Sequence, residues 1–503
     1  MMLSKKTIVI LPRHSTSWAE MLPIAQRIRD TDQLHSLIVL ANDYTAARKH
    51  ILETEQLPFV DLYSEIATRM SATAGVAAWL LAHIKDRVEN SPRFANWLPV
   101  AMLRMIELRR QLGVERDIFR NFLHSCQAKA VLLPGDRELS PVPSMLRACR
   151  DEHVPTLIAA TNLPYSGGLE VTRLNDPGHQ SELHRGAPLL SVLAAWLHPK
   201  QTLRSSYGRL LFSPGWRTFA LALENMLPEQ PWIQGGGLSD FILQHNRSKL
   251  MEYLRQGLSD SKVVGIGDVT LDPLHRNLFR KEALRKELSG RYGIADGRPL
   301  VVMAVPNEAE HDLCDWPTHL QRQESFWSKI ARHDATVLLS LHPKSERKNY
   351  QALADRCGFH FADERLHDIL PAADLFVCSC STTCLWAKLC AVPVLNMDYL
   401  GLRLDYFREP CGVFEVYTPD ECAAVLPIAL AYTRSPQMLD LRQQAARIAQ
   451  DTIFDGKAMD RLMRFVELLA SGEPVSGPLI PEAWRTKDAS QHPTGKLLHP
   501  HYG

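Results

Sequence analysis

Short apolar runs, many of them rich in β-branched residues, alternate with helical segments through most of the 503-residue chain. In the first half such runs include 7–11 and Ala130–Leu133, and in the second half 300–305, 336–341 and Leu375–Cys378. Strands that alternate with helices indicate βαβ units, and therefore parallel sheets with helices on both faces. The pattern predicts an α/β protein with two doubly wound domains.

A run of three glycines is the strongest candidate boundary between these halves. Gly235, Gly236 and Gly237 carry no side chain and tolerate any backbone angle, which is typical of a linker. At roughly 100–200 residues per domain, a chain of this length fits two or three domains. We predict an N-terminal domain over 1–235 with a helical insertion over about 163–230, a C-terminal domain over 236–471, and a flexible tail over 472–503.

The charge balance argues against nucleic acid as a partner. Lys and Arg number 57 against 56 Asp and Glu, and no long basic run occurs that would release counterions from a duplex. The 10 cysteines form no pair of CxxC motifs, so neither a zinc ribbon nor a disulfide framework is indicated. Reduced, buried thiols are the favoured interpretation.

No apolar run reaches the roughly 18–20 residues that a helix needs to cross a bilayer, so we expect a cytoplasmic protein. Five side chains between 188 and 230 leave open a peripheral contact with the inner face of a membrane. They are Trp196, Leu210, Leu211, Phe212 and Trp216. Core packing is the favoured interpretation of these five.

The strongest candidate site follows the strand Leu375–Cys378. There a buried strand leads into a turn with four hydroxyls and then into a helix, whose first turn offers free N–H groups to an anion. The four residues are Ser379, Ser381, Thr382 and Thr383. The cluster predicts a phosphate-binding site, and the alternative is that one hydroxyl only caps the helix.

Other polar residues also follow strands of the second half, where ligands of parallel sheets bind. His342 and Lys344 flank Pro343 and carry groups suited to a diphosphate, with a plain surface loop as the alternative. Glu308, in the loop 306–311, and Asp398 are further candidates for binding a donor. The lone GxG at 265–267 lacks the rest of a dinucleotide fingerprint, so we do not expect NAD.

Candidates for a general base follow strands of the first half. His14 titrates near neutral pH, and Asp136 and Glu138 follow the strand Ala130–Leu133. A solvated or capping role is an equal alternative for each of the three.

Four pieces of the second half occur in an order known from one superfamily. They are an opening strand with a following acid, a His-Pro turn, an acid–strand–hydroxyl stretch, and an Asp-Gly segment before the final helix. In this sequence they are 262–265 with Asp272, 342–344, 368–383 with Pro393, and 455–458 with Arg461. Residues 260–465 thus resemble the carboxyl-terminal domain of GT-B glycosyltransferases, in the branch of the bacterial UDP-N-acetylglucosamine 2-epimerases and the glycerophosphotransferases of teichoic acid and capsule assembly.

The resemblance implies two Rossmann-like domains that face a cleft, and a transferase of bacterial surface polysaccharide or glycoconjugate synthesis. The second domain would bind a nucleotide-activated sugar or polyol phosphate, and the first a glycan, lipid-linked or protein acceptor. No cofactor and no metal would be required, because a helix dipole and hydroxyls can balance the charge of the leaving diphosphate.

Two alternatives stay open. The same fold serves sugar epimerases, which need acids and bases around one sugar and no acceptor. Many members of the superfamily also carry a Glu after the hydroxyl turn that holds the ribose, whereas this chain has no acid at 385–388. That departure motivates a non-catalytic assembly partner as the second alternative.

Overall fold

The computed structural model describes the greater part of the chain and divides it into two compact units. The described residues are 5–12, 15–41, 45–91, 97–137, 141–159, 188–205, 208–233, 235–311, 314–342, 345–401, 411–475, 481 and 484. The first unit comprises 1–266 together with 462–503, and the second comprises 267–461.

The first unit is built on a parallel sheet of seven strands. Its strands, with those of a separate hairpin, are β1 (Lys6–Ile10), β2 (Leu34–Leu40), β3 (Phe59–Asp61), β4 (Ala130–Leu133), β5 (Thr156–Ile158), β6 (Thr202–Ser205), β7 (Gly208–Leu211), β8 (Phe241–Gln244) and β9 (Val263–Gly265). The sheet order is β3-β2-β1-β4-β5-β8-β9, while β6 and β7 form the antiparallel hairpin.

Helices cover this sheet and extend from it. They are α1 (Ser15–Arg29), α2 (Thr45–Thr54), α3 (Tyr63–Ala72), α4 (Val76–His83), α5 (Lys85–Asn90), α6 (Leu98–Ser125), α7 (Val142–Asp151), α8 (Leu189–Leu197), α9 (Gly215–Leu223) and α10 (Arg247–Arg255). One core cluster joins Val9 and Val131 of the sheet to Phe119 of α6 and Met145 of α7. The continuous apolar strands are therefore buried as a parallel sheet requires.

The second unit contains a parallel sheet of six strands. They are β10 (Leu300–Ala304), β11 (Thr336–Ser340), β12 (His360–Phe361), β13 (Leu375–Cys378), β14 (Val394–Met397) and β15 (Val413–Val416), in the order β12-β11-β10-β13-β14-β15. Its helices are α11 (Leu271–Leu278), α12 (Lys281–Tyr292), α13 (Trp316–Ile330), α14 (Arg347–Cys357), α15 (Leu366–Ile369), α16 (Cys384–Leu389), α17 (Pro419–Ala431), α18 (Met438–Thr452) and α19 (Ala458–Ser471), which crosses the division between the units.

The second sheet is doubly wound. Val302 and Phe376 face one core cluster with helices α11, α12 and α16. Val301 and Val377, one residue away in each strand, face a second cluster with α13, α14 and α17. Successive side chains of a strand point to opposite faces, so both faces of this sheet are covered by helices.

The strands β4 and β13 have the bounds that the sequence predicts, and so does β14, because the run 394–397 also predicts a strand. The spacing over 272–292 predicts one helix, but the structure has two, because Arg280 leaves the helical region at φ −113°, ψ 25°. The spacing over 326–333 predicts a helix that begins ten residues earlier in the structure, at Trp316, where the Asp315 side chain accepts from the Thr318 N–H at 2.7 Å. The sequence predicts neither β8 nor the short edge strands β12 and β15.

The region predicted as a helical insertion also contains the hairpin β6–β7, and its residues 163–187 lie outside the described part of the chain. Leu210, Leu211, Phe212 and Trp216 are buried, so core packing is confirmed for these four. Trp196, by contrast, is 74% exposed. Among the described residues, no helix has the length and apolar character to cross a bilayer.

Candidate functional site

The strand order of the second sheet defines one crevice for a ligand. The chain runs outward from β10 to β11 and β12, then returns to β13 beside β10 and continues outward through β14 to β15. Neighbouring strands whose connections leave in opposite directions form a topological switch point, and ligands bind at its carboxyl edge. The loop 306–311 follows β10, and the loop 379–383 follows β13, so both predicted loops begin at this edge.

The hydroxyl turn after β13 is held by its own bonds. Ser381 Oγ lies 2.8 Å from Thr383 Oγ1, and the Thr383 N–H donates to Ser381 Oγ at 3.3 Å. The sequence pattern predicts that the helix begins at Thr382. The residues before α16 instead use short-range bonds such as Cys384 N–H to Ser381 O, so the helix begins at Cys384. Thr382 is exposed, whereas Ser381 and Thr383 are half-buried.

The backbone of this turn is anchored from β14 below it. Cys380 has φ 48°, in the left-handed region, and its N–H donates to Asn396 Oδ1 at 2.8 Å. The Cys380 thiol donates to Asp398 Oδ1 at 3.3 Å, and Asp398 is buried. Burial and the neighbouring Asp398 charge both raise the pKa of the Cys380 thiol, which keeps it protonated.

Tyr399 joins the three strand ends. Its hydroxyl donates to Glu308 Oε1 at 2.5 Å, accepts from Gln323 Nε2 at 3.0 Å, and hydrogen-bonds with the Ser379 hydroxyl. The predicted residues Glu308 and Ser379 therefore meet at one tyrosine, next to Asp398 in sequence. Burial and the Glu308 charge raise the pKa of Tyr399, so its hydroxyl stays a donor.

A buried polar chain continues from Glu308 into the helices. His319 Nδ1 lies 2.9 Å from Glu308 Oε2, and His319 Nε2 lies 3.0 Å from the Tyr350 hydroxyl, which donates to Glu310 Oε1 at 2.8 Å. Burial alone would raise the pKa of Glu308, but the hydrogen bonds from His319 and Tyr399 outweigh it and hold the pKa below its ordinary value. Glu308 is thus an ionised anchor beneath the crevice.

Sequence reasoning missed His319, Tyr350 and Tyr399. Tyr399 follows Asp398 directly after β14, so the strand-end argument that selected Asp398 could have included it. His319 and Tyr350 lie inside helices α13 and α14, and no spacing or composition signal separates them from ordinary core positions.

His342 follows β11, the strand beside β10, and is half-buried. Its carbonyl accepts from the Ser345 N–H at 2.8 Å, which closes the turn after the strand. Lys344, its predicted companion, lies outside the described residues. The His342 and Lys344 assignments both stay predictions.

The first sheet has a switch point of its own, between β1 and β4. Of the three candidate bases that follow these strands, His14 and Glu138 lie outside the described residues. Asp136 is only 3% exposed, and its carboxylate accepts from the Gly235 N–H at 3.2 Å, the Gly237 N–H at 2.7 Å and the Ser239 hydroxyl at 2.9 Å. Burial raises the pKa of Asp136 against the lowering effect of Arg137 and these bonds.

The three glycines form a tight loop around that carboxylate, within the first unit. Gly235 has φ +83°, which favours glycine. A Cβ on Gly236 would lie 2.2 Å from the Gln230 carbonyl oxygen, and one on Gly237 would lie 2.3 Å from the Asp136 carbonyl oxygen. Packing against neighbouring backbone accounts for Gly236 and Gly237.

Other residues of the motifs that carry the GT-B resemblance bond the beginning of the second unit to its end. The Asp272 carboxylate accepts from the Ala458 and Met459 N–H groups at 3.1 and 2.8 Å, at the start of α19. Arg461 pairs with both oxygens of Asp455 at 2.8 and 2.9 Å. At these contacts, the motif residues have a structural role.

No protein-family model and no curated protein matches the sequence. Among solved structures, CalG4, the calicheamicin glycosyltransferase, is similar at a TM-score of 0.51 and 10% identity, covering 93% of this chain and 99% of that one. The chain has the GT-B fold. This confirms the predicted class of two Rossmann-like sheets.

UDP-GlcNAc 2-epimerases are also similar, at lower scores. The enzyme from Methanocaldococcus jannaschii has a TM-score of 0.48 and 12% identity, covering 92% of this chain and 99% of that one. The enzyme from Neisseria meningitidis has a TM-score of 0.47 and 10% identity, with the same coverage.

Proposed function

We propose that the protein is a glycosyltransferase, which moves a sugar or a polyol phosphate from a nucleotide-activated donor to a hydroxyl of a glycan, lipid or protein. The observation that carries the proposal is the hydroxyl turn at the switch point of the second sheet, next to the anchored loop that carries Glu308. Glycosyltransferases and epimerases share this fold, so the fold does not decide the function. The proposal therefore depends on the hydroxyl turn.

In this proposal the diphosphate of the donor lies against residues 381–383. The hydroxyls of Ser381, Thr382 and Thr383 are donors, and the turn leads into α16, so a developing negative charge is stabilised without a metal. His342 and Lys344 supply a further donor and a positive charge. Glu308 and Asp398 are buried, so their role is to hold Tyr399, Ser379 and Cys380 in position.

The acceptor side of the proposal rests on the first unit. His14, Asp136 and Glu138 are the candidates for the base that removes the acceptor proton. The three are separated by the pH dependence of kcat in the variants His14→Gln, Asp136→Asn and Glu138→Gln. Loss of the base should remove the acidic limb of the profile, whereas a structural role should leave its shape unchanged.

The test is a thermal-shift screen with UDP, CDP, GDP, CMP and ADP on the wild type and on the double variant Ser381→Ala/Thr382→Ala. A ligand at 100 times its Kd adds about 2.7 kcal/mol of stability. We expect one nucleotide to stabilise the wild type and the double variant to lose that shift.

Thr418→Ala is the matched control, because Thr418 caps α17 in the same unit by accepting from the Glu421 N–H at 3.2 Å. It should lower the stability but keep the nucleotide shift. If no nucleotide stabilises the wild type, the transferase proposal fails in favour of a non-catalytic partner.

Product analysis then identifies the reaction. A transferase releases the nucleotide and forms a new glycoside or phosphodiester, in the presence of EDTA as well as in its absence. An isomerised nucleotide sugar with no acceptor consumed would contradict the proposal and identify an epimerase.

A further inference from the structure

Helix α8 leaves a complete apolar face open to solvent. Its exposed side chains recur at i, i+3, i+4, i+7 and i+8, which places them on one side of the helix. They are Leu189, Val192, Leu193, Trp196 and Leu197. The opposite side, with Ala194 and Ala195, is buried against Leu211 of the hairpin. A contiguous exposed apolar face of this kind marks an interaction surface.

Exposed cations lie in the hairpin against which α8 packs and in the segment that joins the two. Arg209 lies two residues from Leu211 in β7 and therefore on the hairpin face that packs on α8. The hairpin register places Arg204 directly opposite Arg209, and Lys200 is exposed in the short segment between α8 and β6. No carboxylate among the described residues pairs with any of these three cations. Two like charges directly opposite each other are unfavourable unless an anion lies between or above them.

The charges and the apolar face together point to one kind of partner. Helix α8 contains no charged residue, and the exposed charged residues named above are all cations. Apolar side chains with a tryptophan, with Lys and Arg in the adjoining segment and hairpin, match the interface of an anionic lipid bilayer, where the rings enter the headgroup region and the cations contact phosphates. We propose that α8 and the hairpin β6–β7 dock the protein on an anionic membrane surface. This inference does not depend on the transferase activity.

The experiment is co-sedimentation of the full chain with vesicles of phosphatidylglycerol and phosphatidylcholine, and with vesicles of phosphatidylcholine alone. We expect binding to the anionic vesicles that weakens with added salt, and little binding to the neutral ones. Leu189→Ser/Trp196→Ser removes two largely exposed side chains at little cost to folding, and should weaken binding at least about tenfold.

A second variant tests the charges separately. Arg204→Gln/Arg209→Gln should weaken binding about twenty-five-fold, because each arginine near an anionic surface contributes about a fivefold change. Phe279→Ser is the matched control, since Phe279 is a lone apolar side chain of the second unit that is 79% exposed. It should bind as the wild type does.

Three results would overturn the proposal. They are no binding of the wild type to anionic vesicles, equal binding by wild type and both double variants, and self-association without vesicles that Leu189→Ser/Trp196→Ser abolishes. The last result would assign the α8 face to a second copy of the chain.

Discussion

At the switch point of the first sheet, Asp136 is buried and its carboxylate is saturated by donors from residues 235–239. At the switch point of the second sheet, Thr382 is exposed and Ser381 and Thr383 are partly so. The two sheets share their order outward from the central strands, and both place polar residues where the central strands end. The same strand order thus leads to a buried, structural carboxylate in the first unit and to an accessible candidate site in the second.

Strand order therefore determines where a site lies, but not whether its polar side chains are accessible. In the second unit the buried carboxylates lie one layer below the hydroxyl turn, where Glu308 holds Tyr399 and Asp398 holds Cys380. In the first unit the carboxylate itself takes the position at the strand end. Four substitutions test this contrast.

The largest effect is expected from Gly237→Ala in the glycine loop. The new Cβ would lie 2.3 Å from the Asp136 carbonyl oxygen, so backbone must move, and we expect a loss of about 3 kcal/mol in the free energy of unfolding. Denaturant titration measures it. Gly290→Ala is the control, because Gly290 lies in α12 with nothing near its Cβ, and should gain up to about 1 kcal/mol. Equal effects would show that the glycine run behaves as a linker.

Asp136→Asn should have the next largest effect. An amide cannot accept from all three donors, so at least one buried N–H or O–H loses its partner, at a cost of about 2 kcal/mol. Ser239→Ala removes a single donor and should cost about 1 kcal/mol. If Asp136→Asn unfolds at the wild-type denaturant midpoint, the anchor role is wrong.

Glu308→Gln tests the corresponding carboxylate of the second unit. An amide N–H would face the Tyr399 hydroxyl, and we expect a loss of about 1.5 kcal/mol at pH 7. Because the pKa of Glu308 is lower in the folded than in the unfolded chain, its ionised form stabilises the fold above the ordinary pKa of about 4.3, and this is lost as the pH falls through the folded value. The Tm difference between variant and wild type should therefore shrink between pH 6 and pH 3, whereas a gap independent of pH would contradict a stabilising role of the ionised carboxylate.

The smallest effect on stability is expected from Ser381→Ala/Thr382→Ala. Thr382 is exposed and Ser381 bonds only within its own turn among the described contacts, so we expect a loss below about 0.5 kcal/mol by denaturant titration. A loss as large as that of Asp136→Asn would make the hydroxyl turn a structural anchor too, and would remove the contrast between the units.

Much of the fold could be predicted from the sequence. β4 and β13 are continuous apolar runs with clear ends, because strands buried on both faces rarely admit a polar side chain. β14 is apolar except for Asn396, which is buried and accepts from the Cys380 N–H. The missed strands β12 and β15 are edge strands, where burial is less complete and the apolar signal is weaker. No glycine or proline marks the break between α11 and α12 at Arg280.

The candidate site was predictable in part. Ser379, Glu308 and Asp398 were identified because each follows a strand, and the sheet brings their loops to one edge. Tyr350 and His319 were not, because their polar contacts form between separate helices and leave no periodic trace. Side-chain hydrogen bonds link the loops, and they join residues that are 40 to 91 positions apart in the chain.

Local apolar runs and their alternation with helices predict the fold class and the strand ends at which polar groups gather. Which of those groups stay accessible depends on the tertiary structure. Asp136 and Thr382 both follow a strand and look alike in the sequence, but a loop about a hundred residues later closes over Asp136 and donates to it, while Thr382 stays exposed. Burial depends on contacts between distant segments, and no local pattern encodes them.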